Sequence, residues 1–288
     1  YEPKKLVAPF EILDAVSSQK VSAGYATAGY WFGKMKAAAL FSAVPFGPEA
    51  PEYLAWLWYG NGAKLYQEMY DENGYNVKVH VCGIIAPETS GWFKEPITSA
   101  DQLKGMKMRF FGLGGQVMQS LGVTTSLLPG GEIFPALEKG AIDASEFSMP
   151  AIDKLLGFYK LVKYNYFPGW HQQATVFELL INKDIWNRMS EHQQMVVDMG
   201  CRAATVHSLA FTEAIQFDQM KENVEKNGVK QMYWSDEMLD VFRNAWMEIV
   251  EENRASDPGF KKVWDDLAAF RAGYDVWEGH AFLPRAAR

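Results

Sequence analysis

Apolar residues recur along this chain in two rhythms, one of three to four residues and one of about two, and the rhythms alternate from segment to segment. Val7-Ala8-Pro9-Phe10-Glu11-Ile12-Leu13-Asp14-Ala15-Val16 predicts a short helix, with Pro9 suited to the first turn. Residues 21–28 form a small-residue strand or turn and lead to Tyr30-Trp31. In residues 53–72, Leu57, Leu65 and Met69 fall on one stripe, which predicts a helix that Asn73-Gly74 ends. Residues 76–85 alternate and then turn fully apolar, as a buried strand does. Pro87, Gly91 and Pro96 predict a loop. Further strands are predicted at 107–110, 141–147 and 174–181, and helices at 112–121 and 132–139.

Residues 190–227 form the longest periodic segment. Ser190 and Gln193 fit a capping box at its start, and Gly228 fits a stop at its end. Val196, Met199, Ala203, Val206, Ala210, Ala214 and Phe217 recur at three- and four-residue steps and give it an apolar face. At 1.5 Å per residue such a helix would be roughly 55 Å long, more than one domain spans, so it is expected to run across two. The alternative is two helices broken near Gly200. Helices at 235–255 and 260–270 follow, then a tail holding Tyr274, Trp277 and Phe282. Alternating strands and helices make the fold class α/β. The 288 residues suit one large domain or two smaller ones.

Composition narrows the function classes. The net charge is −7 and Lys and Arg form no block, so nucleic acid is excluded as a partner. No run of about 18 apolar residues exists to span a membrane. The chain starts at Tyr1 with no signal-peptide core, as a processed or cut chain would. Cys82 and Cys201 fit no CxxC pattern and read as two buried, unpaired thiols. Aromatic residues make up 14%, which suits either a pocket wall or an aromatic core.

No GxSxG elbow, Walker A loop or HExxH motif occurs. The glycines at 112 and 114 lack the third glycine of a dinucleotide fingerprint. His80, His171, His192, His207 and His280 are scattered without zinc-ligand spacing. What remains is polar groups at strand ends. Arg109 ends a strand just before a glycine-rich helix start, where a guanidinium and unpaired N–H groups can hold an anion. The alternative is a surface arginine beside a tight turn. Glu146 closes a strand, where α/β ligand sites lie, or else it is simply solvent-exposed.

Several segments together resemble the solute-binding proteins of tripartite ATP-independent periplasmic (TRAP) transporters. They are the helix-then-strand stretch from Gly131 to Glu146, the arginine strand from Leu103 to Arg109, Phe167-Pro168-Gly169-Trp170-His171, Asn182-Lys183-Asp184-Ile185-Trp186, and Ala269-Phe270-Arg271-Ala272. The likeness runs from about Val7 to the C-terminus and points to the branch that binds α-keto acids, lactate and chloroaromatic acids. The resemblance implies an α/β, two-domain periplasmic-binding-protein-like clamp with crossing hinge strands and a long domain-spanning helix. Its domains would be residues 1–88 with 174–228, residues 89–173, and C-terminal helices over 229–288. It implies a periplasmic receptor, not an enzyme, that captures a small organic carboxylate and delivers it to TRAP membrane subunits.

The resemblance also implies a site. Arg109 would hold the ligand carboxylate. Glu146, the Phe147 carbonyl, Glu88 and Gln172 would hold Na⁺ or Ca²⁺ bridging protein and ligand. Tyr30, Trp31, Trp92, Phe147 and Trp170 would wall the pocket. Two positions depart from the branch: Gln172 stands where Glu is frequent, and Glu88 where Gln is. If both face the site the charge count is unchanged and an oxygen-ligated cation fits; if only one does, it does not. Members also carry a first strand and helix of about 40 residues before the segment matching Val7 to Val16, so the sequence is expected to be incomplete. The branch includes dimers formed through the C-terminal helix, which the aromatic tail after Phe270 permits. Two alternatives stay open: an enzyme with Arg109 as clamp and Glu88 or Glu146 as acid or base, and a stand-alone sensing module.

Overall fold

The computed structural model describes residues 5–283, and its nine strands form two sheets. They are β1 (Ala23–Ala26), β2 (Val77–Ile85), β3 (Gly91–Phe93), β4 (Lys107–Arg109), β5 (Thr124–Ser126), β6 (Ala144–Ser145), β7 (Tyr164–Phe167), β8 (Thr175–Asn182) and β9 (Lys230–Tyr233). The first sheet has the order β1-β8-β2 and is antiparallel throughout. The second has the order β5-β4-β6-β3-β7-β9. Its β5-β4-β6 part is parallel, β3 runs antiparallel to both neighbours, and β9 joins β7 in parallel.

The elements expected at 76–85, 107–110, 112–121, 132–139, 174–181 and 235–255 formed near their expected bounds, and the helices expected over 53–72 and 190–227 are each divided. The helix expected over 53–72 is two helices, Ala50–Tyr59 and Gly62–Glu72, because Gly60 takes an extended conformation between them. Strands β3, β5, β7 and β9 were not predicted. Each is three or four residues long, too short to establish an alternation of its own.

The first sheet lies in an aromatic core. Phe41 stacks on Tyr66 with ring centroids 4.3 Å apart, and on Trp56. At its centre the carboxylate of Glu178, on β8, accepts bonds from Trp31 Nε1 (2.7 Å), Tyr66 and Tyr70. Burial raises the Glu178 carboxyl above its ordinary range despite these donors. Trp31 is thereby a core residue and not a pocket wall, which corrects the expectation: its indole N–H needed a buried acceptor and found one inside the core.

The long segment is helical over Glu191–Ala214, is interrupted at Ile215, and continues as Gln216–Glu225. The break falls at Ile215 and not near Gly200. Its first part lies over β2, and its second packs on the helix Pro150–Leu156, beside the second sheet. The apolar face read from the sequence turns to solvent, and the buried positions are Cys201, Thr205, Thr212, Gln219 and Asn223. The reason lies in β2, an edge strand with unpaired backbone groups. The Ser208 hydroxyl accepts from Ile84 N–H (3.1 Å) and donates to Ile84 C=O (2.8 Å). Thr212 accepts from Ala86 N–H at 3.1 Å.

The two cysteines are not free. Cys82 and Cys201 form a disulfide across this helix–strand contact, with Cα atoms 4.1 Å apart. Register along β2 shifts between Val81 and Gly83, so Cys82 is the extra residue of a bulge and escapes the ladder. No helix among the described residues is long and apolar enough to cross a membrane.

The disulfide closes 119 residues of chain, so Cys82→Ser/Cys201→Ser is expected to lose roughly 5 kcal/mol of stability in urea unfolding. His80, next to it on β2, gives a pH test. Burial, then Lys78, lowers its imidazole to about 4 from 6.5. Between these values the unfolded chain binds the extra proton, so this contribution is present near pH 7 and is lost as pH falls from about 6.5 to 4. His80→Gln should flatten that part of the stability profile, by at most about 3 kcal/mol.

Candidate functional site

Parallel pairing of β4 with β6 sets Arg109 opposite Ser145, so Glu146 lies immediately past the end of the pair. Arg109 Nη1 donates to the Glu146 carboxylate at 2.7 Å and to its backbone carbonyl at 3.0 Å, and Nε donates to Leu128 C=O at 3.1 Å. Adjacent strands thus make Arg109 and Glu146 an ion pair. Nη2 has no partner among the described residues and is the donor left over. The guanidinium lies 5.2 Å from the centre of the Phe147 ring and 6.0 Å from that of Phe111.

Glu88 arrives from the other sheet, on the loop after β2. Its N–H donates to Gln172 C=O (3.1 Å), and Thr89 N–H donates to Ser148 C=O (3.0 Å), which docks the loop on both sheets. Gly169 makes the approach possible: a Cβ there would lie 2.1 Å from the Glu88 carbonyl oxygen. Thr175, the first residue of β8, accepts from the Gln172 amide (2.7 Å) and donates to Glu88 Oε1 (3.0 Å). Both departing positions therefore face one place. Among the described residues the relay leaves Glu88 Oε2 and Gln172 Oε1 buried without donors, and Glu146 Oε2 is likewise unpartnered.

His171 completes the cluster. Its Nε2 lies 3.7 Å from Glu146 Oε2, neither ring nitrogen is hydrogen-bonded, and the ring is held edge-on by Phe110 and Trp170. Glu88, Glu146 and His171 each bring one ligand atom to within 4.8 Å of the others. Arg109, Glu146, His171, Gln172 and Glu88 are all at most 4% exposed, so the cluster is closed to bulk water.

Electrostatics divides the two carboxylates. Burial pushes Glu146 up, but Arg109, then His171 and the Phe111 N–H, outweigh it and hold the carboxyl below its ordinary value. Glu88 has only the Thr175 hydroxyl and a more distant Arg109, so burial, then Glu146 and Asp153, drive it well above its ordinary range. A neighbouring cation would reverse that imbalance.

The expected aromatic wall is only partly present. Phe147 touches Arg109. Burial raises the Tyr30 phenol, with Arg109 opposing and Glu146 and Glu88 adding to the shift, and its ring meets Phe111 edge-on. Trp170 lies behind His171, stacked on Phe242. Trp92 Nε1 donates to Asp153 at 2.8 Å, which turns its indole into the second sheet's core and away from the cluster. Burial raises Asp153 to about 7 even so. His171 and Thr175 were missed from sequence. His171 stands in the Gly-Trp-His stretch, but a search for zinc-like spacing among histidines passes over a residue whose partners come from distant loops. Thr175 carries no local signal.

A family model described as bacterial extracellular solute-binding protein, family 7 (DctP) matches residues 1–257. The monocarboxylate 2-oxoacid-binding periplasmic protein all3028 of Nostoc sp. is 36% identical over 273 residues, 95% of this chain and 74% of its own. A TRAP transporter solute-binding protein of Bordetella bronchiseptica RB50 superposes with a TM-score of 0.94 at 30% identity, over 98% of this chain and 83% of its own. That protein is a mixed-occupancy dimer, with copurified calcium and picolinate in one active site and the other apo. A TRAP periplasmic solute-binding protein of Pseudoalteromonas atlantica T6c, with bound sodium and pyruvate, superposes at 0.90 with 28% identity, over 94% of this chain and 82% of its own.

Removing one member of a buried pair strands the other charge. Arg109→Met should therefore lose about 3 kcal/mol of stability, and Arg109→Met/Glu146→Gln clearly less than the sum of the single changes. Urea unfolding of the four proteins checks this, and additive losses would show that the pair is not coupled.

Proposed function

The chain belongs to the DctP family, family 7 of the bacterial extracellular solute-binding proteins, and from that membership we propose that it captures a small organic carboxylate in the periplasm and delivers it to TRAP membrane subunits without transforming it. The ligand class is a 2-oxo acid or a hydroxy or aromatic acid of similar size, the class to which pyruvate and picolinate, bound by the relatives above, belong. The observation that carries this reading is the pairing of opposites in one sealed place. The buried Arg109 guanidinium, whose hydrogen bonds to described residues run from Nε and Nη1, shares the cluster with three buried oxygens, Glu88 Oε2, Glu146 Oε2 and Gln172 Oε1, that have no hydrogen-bond partner among the described residues. A carboxylate and a cation together meet both demands, and either alone leaves one unmet.

The residues fit such a cation. Glu146, Glu88 and Gln172 offer oxygen atoms, the donor type that Na⁺ and Ca²⁺ prefer, and the Phe147 backbone carbonyl is proposed to join them. A bound Na⁺ or Ca²⁺ supplies positive charge between two carboxylates and accepts ligand oxygen. Arg109 orients the ligand by its carboxylate, Glu146 fixes Arg109, and Gln172 and Thr175 fix Glu88. Tyr30 and Phe147 are proposed to line the ligand's apolar side. The disulfide supports a compartment outside the cytoplasm, where such bonds persist.

The two sheets are proposed as two lobes of a clamp, residues 1–88 with 174–228 and residues 89–173, with 229–288 packed on them. Residues 1–4 and 284–288 of that division lie outside the described residues, and β9 attaches the start of the last segment to the second lobe. The reading extends to pairing of two copies, the state of the Bordetella relative.

Calorimetric titration with pyruvate, lactate and picolinate tests the proposal. At least one should bind in Ca²⁺ or Na⁺ buffer and be recovered chemically unchanged. Arg109→Ala should weaken binding by roughly 100-fold. Exhaustive removal of the cation, or Glu88→Ala, should weaken it by at least about 10-fold. Turnover of the acid would favour an enzyme, and full affinity in Glu88→Ala would remove Glu88 from the site.

A further inference from the structure

The side chain of Phe111 starts from the second sheet and ends against a turn of the first. Phe111 stands two residues past β4 and caps the helix Gly112–Ser120. Its N–H donates to Glu146 Oε1, and its ring lies 6.0 Å from the Arg109 guanidinium. The tip of that ring rests on Gly29, three residues past β1, and the ring meets Tyr30 edge-on with centroids 5.6 Å apart. A Cβ at Gly29 would lie 2.1 Å from Phe111 Cζ and 2.6 Å from Cε1. The backbone does not ask for glycine there, because Gly29 lies in the 3₁₀ turn Ala28–Trp31 with φ outside the left-handed region. The absent side chain is instead a socket for the ring.

The socket is pinned at both ends. The Thr27 hydroxyl donates to Val176 C=O at 3.0 Å, and Trp31 Nε1 donates to Glu178 at 2.7 Å. Phe10 backs Tyr30 edge-on, with centroids 5.1 Å apart. A turn held this way does not yield to a ring, so the ring must fit the turn. We propose that Gly29 is a positioning residue for ligand capture: with Phe111 seated in the socket, its N–H and its ring hold Glu146 and Arg109 where the acid needs them. Gly29 itself touches no ligand. A glycine that only made room for core packing would act on stability when filled, whereas this one acts on affinity. The proposal rests on the two-lobe receptor reading, and it adds the residue through which the first lobe reaches the anion clamp.

Gly29→Ala fills the socket, and Phe111→Leu, whose shorter side chain leaves room for the added methyl, is the suppressor. In calorimetric titration with pyruvate, lactate and picolinate in Ca²⁺ buffer, Gly29→Ala should weaken binding by roughly 10- to 100-fold, while the urea midpoint of the acid-free protein stays as in the wild type. Gly29→Ala/Phe111→Leu should bind as Phe111→Leu alone does, and at least about 5-fold more tightly than Gly29→Ala. Hydrogen exchange at the residue 111 amide, followed by mass spectrometry with and without the acids, should be at least about 10-fold faster in Gly29→Ala and return toward the wild-type rate in the double variant. Wild-type affinity and exchange in Gly29→Ala overturn the proposal. So does a loss that Phe111→Leu does not relieve, or one matched by an equal loss of urea stability. A wild type that binds none of the three acids fails the receptor reading instead, and the exchange measurement then still decides whether Gly29 positions Phe111.

Discussion

A buried guanidinium must be neutralised, and the Arg109–Glu146 pair is the contact on which the rest of the site depends. Taking either charge out of water costs several kcal/mol, and only a short, hydrogen-bonded partner offsets it. The pairing of β4 with β6 provides that partner without any long loop: Arg109 and Ser145 are in register, and the next residue is the glutamate. Once Glu146 is held ionised, its charge sets the behaviour of everything near it. It opposes ionisation of Glu88 and Asp153, and it draws His171 to its second oxygen. Two carboxylates a few ångströms apart thus have different characters because only one of them has an arginine.

Much of this was legible in the sequence, and what was not has identifiable causes. Arg109 and Glu146 could be found because each ends a strand, and strand ends in α/β folds face ligands. That they touch each other could not, since it depends on which strands are neighbours. The aromatic residues misled because tryptophan carries a donor: Trp31 and Trp92 were drawn to Glu178 and Asp153 in the interior, not to a pocket. Cys82 and Cys201 are separated by 119 residues, and nothing at either position announces the other. The bulge that frees Cys82 is a property of the pairing of β2 with β8, not of its local sequence. Strand β3 has three residues and begins on a glycine whose Cβ would meet Met108 and the Ser145 carbonyl, so it is defined by close approach and not by pattern.

The long helix shows where hydrophobic periodicity stops being a guide to burial. Its period was read correctly and its length nearly so, but the apolar side faces out. Amphipathic reasoning assumes that a helix packs on side chains; this one packs on the backbone of an edge strand, and a strand edge asks for hydroxyls. Ser208 and Thr212 answer that need at Ile84 and Ala86.

Those hydroxyl contacts also have a mechanical meaning. An oily interface tolerates slippage, since one methyl contact replaces another at little cost. A helix joined to a strand by directional hydrogen bonds and a covalent link at Cys201 is keyed, as a shaft is to its wheel: a shift of one residue would break every tooth at once. Ile215 is the first point beyond the keyed stretch where the helical hydrogen-bond pattern lapses. Any rocking of one sheet against the other would therefore pass through Ile215 as a bend, with the helix before it turning as one piece with the first sheet.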